Sequence, residues 1–429
     1  VFKTTDAGIS WTIISPDLTK NETEKHGQGG GPYTNEAAGG ENYNTLSSFV
    51  ESEHEEGVLY AGSDDGLLHI TKNGGQTWNN ITPKSIKDGI INSIDISPHN
   101  PAKAYVVIMR YKSMDLNSYV FKTNDYGQTW TKIVNGLEDT KGFARVVRAD
   151  KKKEGLLYAG TETGLCVSND DGAHWQRLKL NLPPVAINDL TIQDNDLVAA
   201  TSGRGFWILD DLGVLQNMNS NDKSVQLFKP KDTYRIFGGV SKATGQGENP
   251  KSGVTFDYYL DKAADTLDLK LEVLQNSKVI RSYTNKKPKG FKSWPGGPSK
   301  PQILPSKQGY NRFTWDFNRA ALPSIHKVFI FGGLSGSRVA PGNYALRLTL
   351  EEDTVETMIT ILPNPKMNSN PQDFIAQQKM LVIIENTIRA MHEAVNQMRS
   401  TKTQLDAYAK LLKDHENATQ LLEKGETLS

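Results

Sequence analysis

Cysteine is almost absent from this sequence: Cys166 is the only one in 429 residues. No intrachain disulfide can form, which fits a bacterial secreted protein or a cytosolic one and argues against a eukaryotic secreted scaffold. Long hydrophobic runs are missing as well. No apolar stretch approaches the roughly 18 residues of a membrane-crossing helix, so no transmembrane segment is expected. Charge of one sign does not prevail, because Lys+Arg and Asp+Glu both total 49. There is then no global field to draw nucleic acid or an anionic membrane to the whole chain, and no nucleic-acid partner is expected. The eight histidines are scattered along the chain without the spacing of a metal site, so neither a metal nor a cofactor is expected. The glycine run at 27–31 lacks the following helix and lysine of a phosphate loop, and no Gly-x-Ser-x-Gly elbow occurs. The first residues, Val1-Phe2-Lys3, carry no initiator Met, basic region or apolar core of a leader. We expect the chain to start inside a structural unit, with any targeting signal upstream or removed.

A repeat is present. The pattern Ser/Thr-x-Asp-x-Gly-x-x-Trp occurs at Thr4, Asp6, Gly8, Trp11; at Thr123, Asp125, Gly127, Trp130; and at Ser168, Asp170, Gly172, Trp175. A fourth copy, Thr71, Asn73, Gly75, Trp78, replaces the acid by its amide. Such an Asp-box is a local device. Its carboxylate accepts hydrogen bonds from turn amides and the hydroxyl, glycine supplies backbone freedom, and tryptophan packs between neighbouring units. Asn73 can accept the same bonds. Consecutive box tryptophans are 67, 52 and 45 residues apart. The last two intervals suit one four-stranded propeller blade, and the first suits a blade with a long insertion. A second phrase repeats in register: Leu59-Tyr60-Ala61-Gly62 and Leu157-Tyr158-Ala159-Gly160 each open a strand–turn–strand hairpin. Before each hairpin lies a short apolar segment, at 46–50, 91–96, 144–147 and 189–192, expected to be the innermost strand of its blade. Residues 1–213 therefore read as roughly four full blades after an N-terminal fragment. Further blades are expected upstream or on a separate chain, since an unclosed propeller leaves exposed sheet edges; a four- or five-blade closure is the alternative.

Residues 214–225 read as a polar linker, after which the texture changes. Six or seven segments of alternating polarity within 226–364 predict a β-sandwich of immunoglobulin or fibronectin type III kind, with residues 286–305 as a long loop. From 365 to 429 the chain is expected to be helical, as one long helix or a hairpin. Leu381, Ile384, Ile388, Met391, Val395 and Met398 form an apolar stripe there, which needs a partner: another helix, the sandwich or another chain.

The segments AGGENYNTL (38–46), YAGSDDGLLHITKNGGQTW (60–78), YVFKTNDYGQTWTKIVNGL (119–137), LYAGTETGLCVSNDDGAHWQ (157–176) and LVAATSGRGFWILDDL (197–212) resemble the bacterial sortilin-type Asp-box (BNR) repeat proteins. These are often labelled glycosyl hydrolases. The sandwich, with PGNYALRLTL (341–350), and the helical tail match the usual layout of such proteins. The resemblance implies a large exported bacterial protein, secreted, periplasmic or on the cell surface, with most of its propeller upstream. It implies no particular chemistry.

The mouth of the propeller is the default binding site. Aligning blades on the hairpin tyrosine puts Asn92 and Arg145 at one register, with Asp189 close by and Arg148 further along its strand. The glycine-rich loop 27–43 carries Glu36, Glu41, Asn42 and Tyr43 and either covers the mouth or is an ordinary surface loop. Arg204 and Trp207 lie on the last hairpin. Two functions compete. One is a recognition platform for an extracellular glycan, peptide or protein, with Asn92, Arg145, Arg148, Tyr43, Arg204 and Trp207 as binding residues. The other is a glycoside hydrolase, sialidase-like or endo-glucanase-like, with Asp189 and Glu41 as paired catalytic carboxylates. Asp6, Asn73, Asp125 and Asp170, with Trp11, Trp78, Trp130 and Trp175, are read as structural.

Overall fold

The computed structural model describes residues 1–25, 43–138, 142–218, 224–236, 251–412 and 419–428. A two-stranded piece, Phe2–Lys3 with Thr12–Ile13, comes first. Three four-stranded antiparallel sheets follow. The first contains Leu46–Glu51, Leu59–Ser63, Leu68–Thr71 and Asn79–Asn80. The second contains Ile90–Ile96, Ala104–Met109, Val120–Thr123 and Thr131–Lys132, and the third Ala144–Ala149, Leu157–Thr161, Gly164–Ser168 and Gln176–Arg177. The fourth blade, expected to be complete, has three strands among the described residues: Ile187–Gln193, Asp196–Thr201 and Phe206–Leu209. Within each sheet the chain steps from one strand to the next neighbour, and the first strands of successive sheets lie side by side. This is the meander of propeller blades. The second strand of each of the first three blades is buried along its whole length, because a blade core is covered on both faces by its neighbours.

The boxes fasten one blade to the preceding one. In the second blade Thr123 Oγ1 donates to Asp125 at 2.7 Å and accepts from the Gly127 amide at 2.9 Å. Asp125 also accepts from the amide and hydroxyl of Thr129, and these bonds, the Thr129 hydroxyl first, hold its carboxyl below the usual carboxylate range. Asn73 occupies the acid's place in the first blade. Its Oδ1 accepts from Thr71 and from the Thr77 amide, while its Nδ2 donates to the Thr77 hydroxyl where an acid would have accepted. The turn so formed aims the tryptophan backwards along the sequence. The indole of Trp78 donates to the carbonyl of Ile14 at 2.8 Å, that of Trp130 to Ile81 at 2.6 Å, and that of Trp175 to Ile133 at 2.9 Å. Each acceptor stands three residues after the preceding box tryptophan. Trp11 bonds to its own Gly8 carbonyl and is 59% exposed, and among the described residues it does not pack against another blade.

A short helix spans the boundary where the linker 214–225 is expected to begin. Gly213–Asn217 is a short helix whose Gln216 side chain donates to Asp150 and to Asn195, and Leu215 beside it is buried. The chain divides into two compact units, Val1–Gln216 and Asn217–Ser429.

The second unit is a sandwich of a three-stranded sheet (Val225–Leu227, Val254–Leu260, Gly309–Trp315) and a five-stranded one. The larger sheet runs in the order Thr233–Tyr234, Asp353–Leu362, Gly342–Leu350, Leu269–Gln275, Lys278–Thr284. Inward residues of both sheets, among them Phe256, Tyr258, Leu271, Trp315, Tyr344 and Leu346, share one core. The long helix Pro371–Leu412 finds its partner in this sandwich. It does so through polar side chains seven residues apart. Gln378 accepts from the Ala340 amide, Glu385 pairs with Arg319 at 3.1 Å, His392 bonds the Pro323 carbonyl and Arg399 the His326 carbonyl. Leu381, Ile388 and Val395 of the apolar stripe are half-buried, whereas Ile384, Met391 and Met398 are exposed. The second helix, Thr419–Leu428, contacts the first.

Gly127 has a φ of +83°, and a Cβ there would meet the Ile81 side chain of the preceding blade at 2.6 Å; at Gly8, with φ +90°, the nearest neighbour is its own Trp11 at 3.8 Å. Both alanine substitutions strain the backbone, but only Gly127→Ala also wedges two blades apart. Urea unfolding read by labelling of the buried Cys166 thiol should show Gly127→Ala costing about 1–3 kcal/mol more than Gly8→Ala. Equal costs would contradict the fastening role.

Candidate functional site

Every innermost strand carries a β-bulge at the same place. The pairing slips between Leu46 and Ser48, Ile91 and Ser93, Ala144 and Val146, and Ile187 and Asp189. The unpaired residues are Ser47, Asn92, Arg145 and Asn188. A bulge re-aims side chains and brings residues three apart onto one face, where simple alternation would separate them. Arg145 and Arg148 are accordingly the two half-buried positions in an otherwise buried strand. The re-aimed groups tie each inner strand to the next. Ser47 Oγ donates to the Ile91 carbonyl at 2.9 Å, and Asn92 Nδ2 to the Arg145 carbonyl at 2.6 Å.

Arg148 makes the third of these ties and the most extensive. Its Nε donates to the Leu190 carbonyl at 2.8 Å, its Nη1 to Ser93 Oγ and the Val147 carbonyl, and its Nη2 to Asp189 Oδ1 at 2.8 Å. One guanidinium thereby spans three inner strands. Asp95 lies on its other side, with Oδ1 3.9 Å from Arg148 Nε and Oδ2 accepting the Ala149 amide at 2.7 Å. Burial pushes the Asp95 carboxyl up to about 6, against the pull of Arg148 and the Ala149 amide. The four inner strands together line a cavity of about 470 Å³, with Ser48, Asn92, Asp95, Arg148, Asn188 and Asp189 at its wall. Another cavity, of about 500 Å³, is the seam between the N-terminal piece and the first blade, with Lys3, Thr4, Glu51, Glu56 and Asn73 among its lining.

Of the residues singled out from sequence, Asn92, Arg148 and Asp189 come together here. Arg145 is at the expected register, but its guanidinium turns to Glu162 and lies over the Phe143 ring, while its carbonyl serves Asn92. Tyr43 is buried away from the cavity wall, with its hydroxyl on Glu22 at 3.2 Å. Arg204 lies in the turn of the last hairpin and Trp207 on the strand after it, joined by an indole bond to the Arg204 carbonyl at 3.1 Å, and neither lines the cavity. Glu36, Glu41 and Asn42 lie outside the described residues. Sequence reasoning missed Asp95, Ser93 and Asn188. A signal for Asp95 was present: it stands ten residues before Tyr105 as Arg148 stands ten before Tyr158, and in each case the two are cross-strand partners. Among the described residues no cluster of three or more His, Cys, Asp or Glu has the arrangement of a metal site.

No family model matches the chain, and no curated protein does. Solved structures give partial likenesses. YCF48 bound to D1 peptide is 20% identical over 39% of this chain and 52% of that one, with a TM-score of 0.30. The GH74 xyloglucanase from Xanthomonas campestris is 13% identical over 38% and 29%, with a TM-score of 0.32. The GH74 enzyme of Niastella koreensis is 13% identical over 47% and 30%, with a TM-score of 0.35. The chain thus spans about half the length of the YCF48 structure and less than a third of the two GH74 enzymes. The propeller is identified by the blades of this chain itself.

The raised Asp95 carboxyl has a consequence for stability. Its folded value of about 6 exceeds the ordinary 3.8, so the folded state holds a proton that the unfolded chain releases. Relative to Asp95→Asn, the wild type should be most stable near the low end of this range, lose stability as pH rises through about 6, and change no further above it. Urea midpoints measured for both proteins across that interval test this; parallel curves would show that Asp95 titrates as an ordinary acid.

Proposed function

We propose that the propeller unit is a recognition module, exported by a bacterium, that binds an extracellular glycan, peptide or protein in the cavity walled by the inner strands. The observation that carries this reading is the use of Arg148. Its guanidinium donates to Leu190, Ser93, Val147 and Asp189 and keeps Asp95 beside it, so it is a fixed strut and Asp189 is tied to it. A wall of this kind offers a ligand shape and hydrogen bonds; among the described residues it offers no unattached pair of carboxylates flanking a reacting bond. Asn188 and Ser48 are the wall groups with most freedom to meet a ligand, and a volume of about 470 Å³ suits a few sugar rings or residues. Export is supported by the sortilin-type resemblance of the Asp-box segments, and the single cysteine is compatible with it. The blades expected upstream belong to the same proposal, as further wall of the same cavity.

One observation favours the glycoside hydrolase as a second reading. A carboxyl at about 6, as in Asp95, is a property of a general acid, and Asp189 meets the same arginine from the other side. In that reading Asp95 would protonate the leaving oxygen, with Asp189 or Glu41 as the second carboxylate.

Glycan and peptide arrays, followed by calorimetry on whatever binds, separate the two. Asn188→Ala and Asp189→Asn should each weaken binding by roughly tenfold or more, about 1.4 kcal/mol, with no product formed. Full affinity in both variants would remove the cavity as the binding site. Turnover of a bound glycan that disappears in Asp95→Asn and persists in Asn188→Ala would establish the hydrolase instead, and Glu41→Gln would then test the second carboxylate.

A further inference from the structure

The chain is neutral overall, yet two segments of the second unit contain no acid at all. Residues 286–305 and 318–342 hold six lysines and two arginines without one Asp or Glu. Arg319 is spent on Glu385 and Lys286 on Asp268. Lys287, Lys289, Lys292, Lys300 and Lys327 are exposed, and among the described residues none of these five ammoniums has an ion-pair partner.

The two segments are built against each other. Trp294 donates its indole N–H to the Val328 carbonyl at 2.9 Å, and its ring meets His326 edge-on at 5.4 Å. The Ile330 amide donates to the Gly296 carbonyl at 3.1 Å. Gly296, at φ +69°, lies so close that a Cβ would stand 2.5 Å from the Phe329 ring. What this strut holds out is apolar. Phe331 is 95% exposed and Phe329 63%, with Phe291 exposed beside Lys292 on the other segment. Exposed phenylalanines on two braced segments that also carry five lysines without ion-pair partners mark a surface that something covers.

We propose that this double loop is a docking surface for an anionic lipid bilayer, with Phe329 and Phe331 entering the headgroup region and the lysines facing lipid phosphates. The charge selects an anionic partner, and the phenylalanines select one with an apolar interior. A sugar platform would present a flat aromatic face with a polar edge; the one tryptophan here has its N–H committed to Val328 and Gly297 pressed against its ring. A soluble polyanion would use the lysines and leave the phenylalanines idle. No helix among the described residues is long and apolar enough to cross a membrane.

Co-sedimentation of the full chain with vesicles of phosphatidylglycerol and phosphatidylcholine tests the proposal, with phosphatidylcholine alone as the control. Binding should require the anionic lipid and weaken steeply with salt. The triple variant Lys287→Glu, Lys289→Glu, Lys292→Glu should abolish it. The double variant Phe329→Ser, Phe331→Ser should reduce it at least tenfold, while the cavity variant Asn188→Ala leaves it unchanged. All these side chains are exposed, and circular dichroism checks that the fold survives. Failure to bind anionic vesicles overturns the proposal. So does vesicle binding that the phenylalanine variant keeps in full, which with matching capture on heparin would mark a site for soluble polyanions.

Discussion

A tryptophan indole that reaches back to the main chain of the preceding blade is the interaction on which the propeller unit depends. It does two things at once. The hydrogen bond satisfies a carbonyl one residue past the outermost strand of the preceding sheet, and the ring covers the apolar seam between blades. The Asp-box exists to aim that ring: Thr or Ser and Asp close a turn, and glycine takes up the left-handed backbone that lets the turn press against an isoleucine behind it. Because the acceptor is always three residues beyond the previous box tryptophan, each box measures its position from the one before. Blade spacing is thus passed along the chain, and the inner strands inherit their register from fastenings on the outer rim.

That inheritance explains what could be read from the sequence. The boxes and the buried tyrosine hairpins are local patterns, complete within eight or nine residues, so blade order, the innermost strands and the register of Asn92 and Arg145 were all legible. The bulges were not. A bulge at Asn92 leaves no residue signature, yet it turns Asp95 onto the same face, against the alternation that a strand pattern assumes. In the fourth blade the hairpin turns at Asp194-Asn195 and its second strand carries Val198 where the others carry tyrosine, which moves the bulge to Asn188, next to the residue that the tyrosine alignment favoured. Whether Tyr43, Arg204 and Trp207 face the mouth depends on side-chain direction in and beside turns, which composition does not encode.

The second unit shows a different balance. Strand alternation predicted the sandwich well, since both inner faces must be apolar to share one core. The helix was legible as a helix but not in its manner of docking. Its apolar stripe suggested a hydrophobic seam, while the contacts that fix it run along Gln378, Glu385, His392 and Arg399, which satisfy backbone groups of the sandwich loops. Loops of that kind have few partners within their own sheets, so polar side chains with a heptad spacing serve them better than leucines would. The same loops, freed of acids and braced by Trp294, are then available to present phenylalanine and lysine outward.

The central claim is that Trp78, Trp130 and Trp175 fasten one blade to another, whereas Trp11 in this chain closes only its own turn. Hydrogen exchange of the individual indole N–H groups, resolved by NMR, addresses it directly. Trp78, Trp130 and Trp175 should be protected by their bonds to Ile14, Ile81 and Ile133, and Trp11, exposed and bonded only within its own turn, should exchange at close to the free rate. Equal exchange at all four would contradict this: the boxes would then close their own turns and nothing more, and the blades would be held together by other contacts.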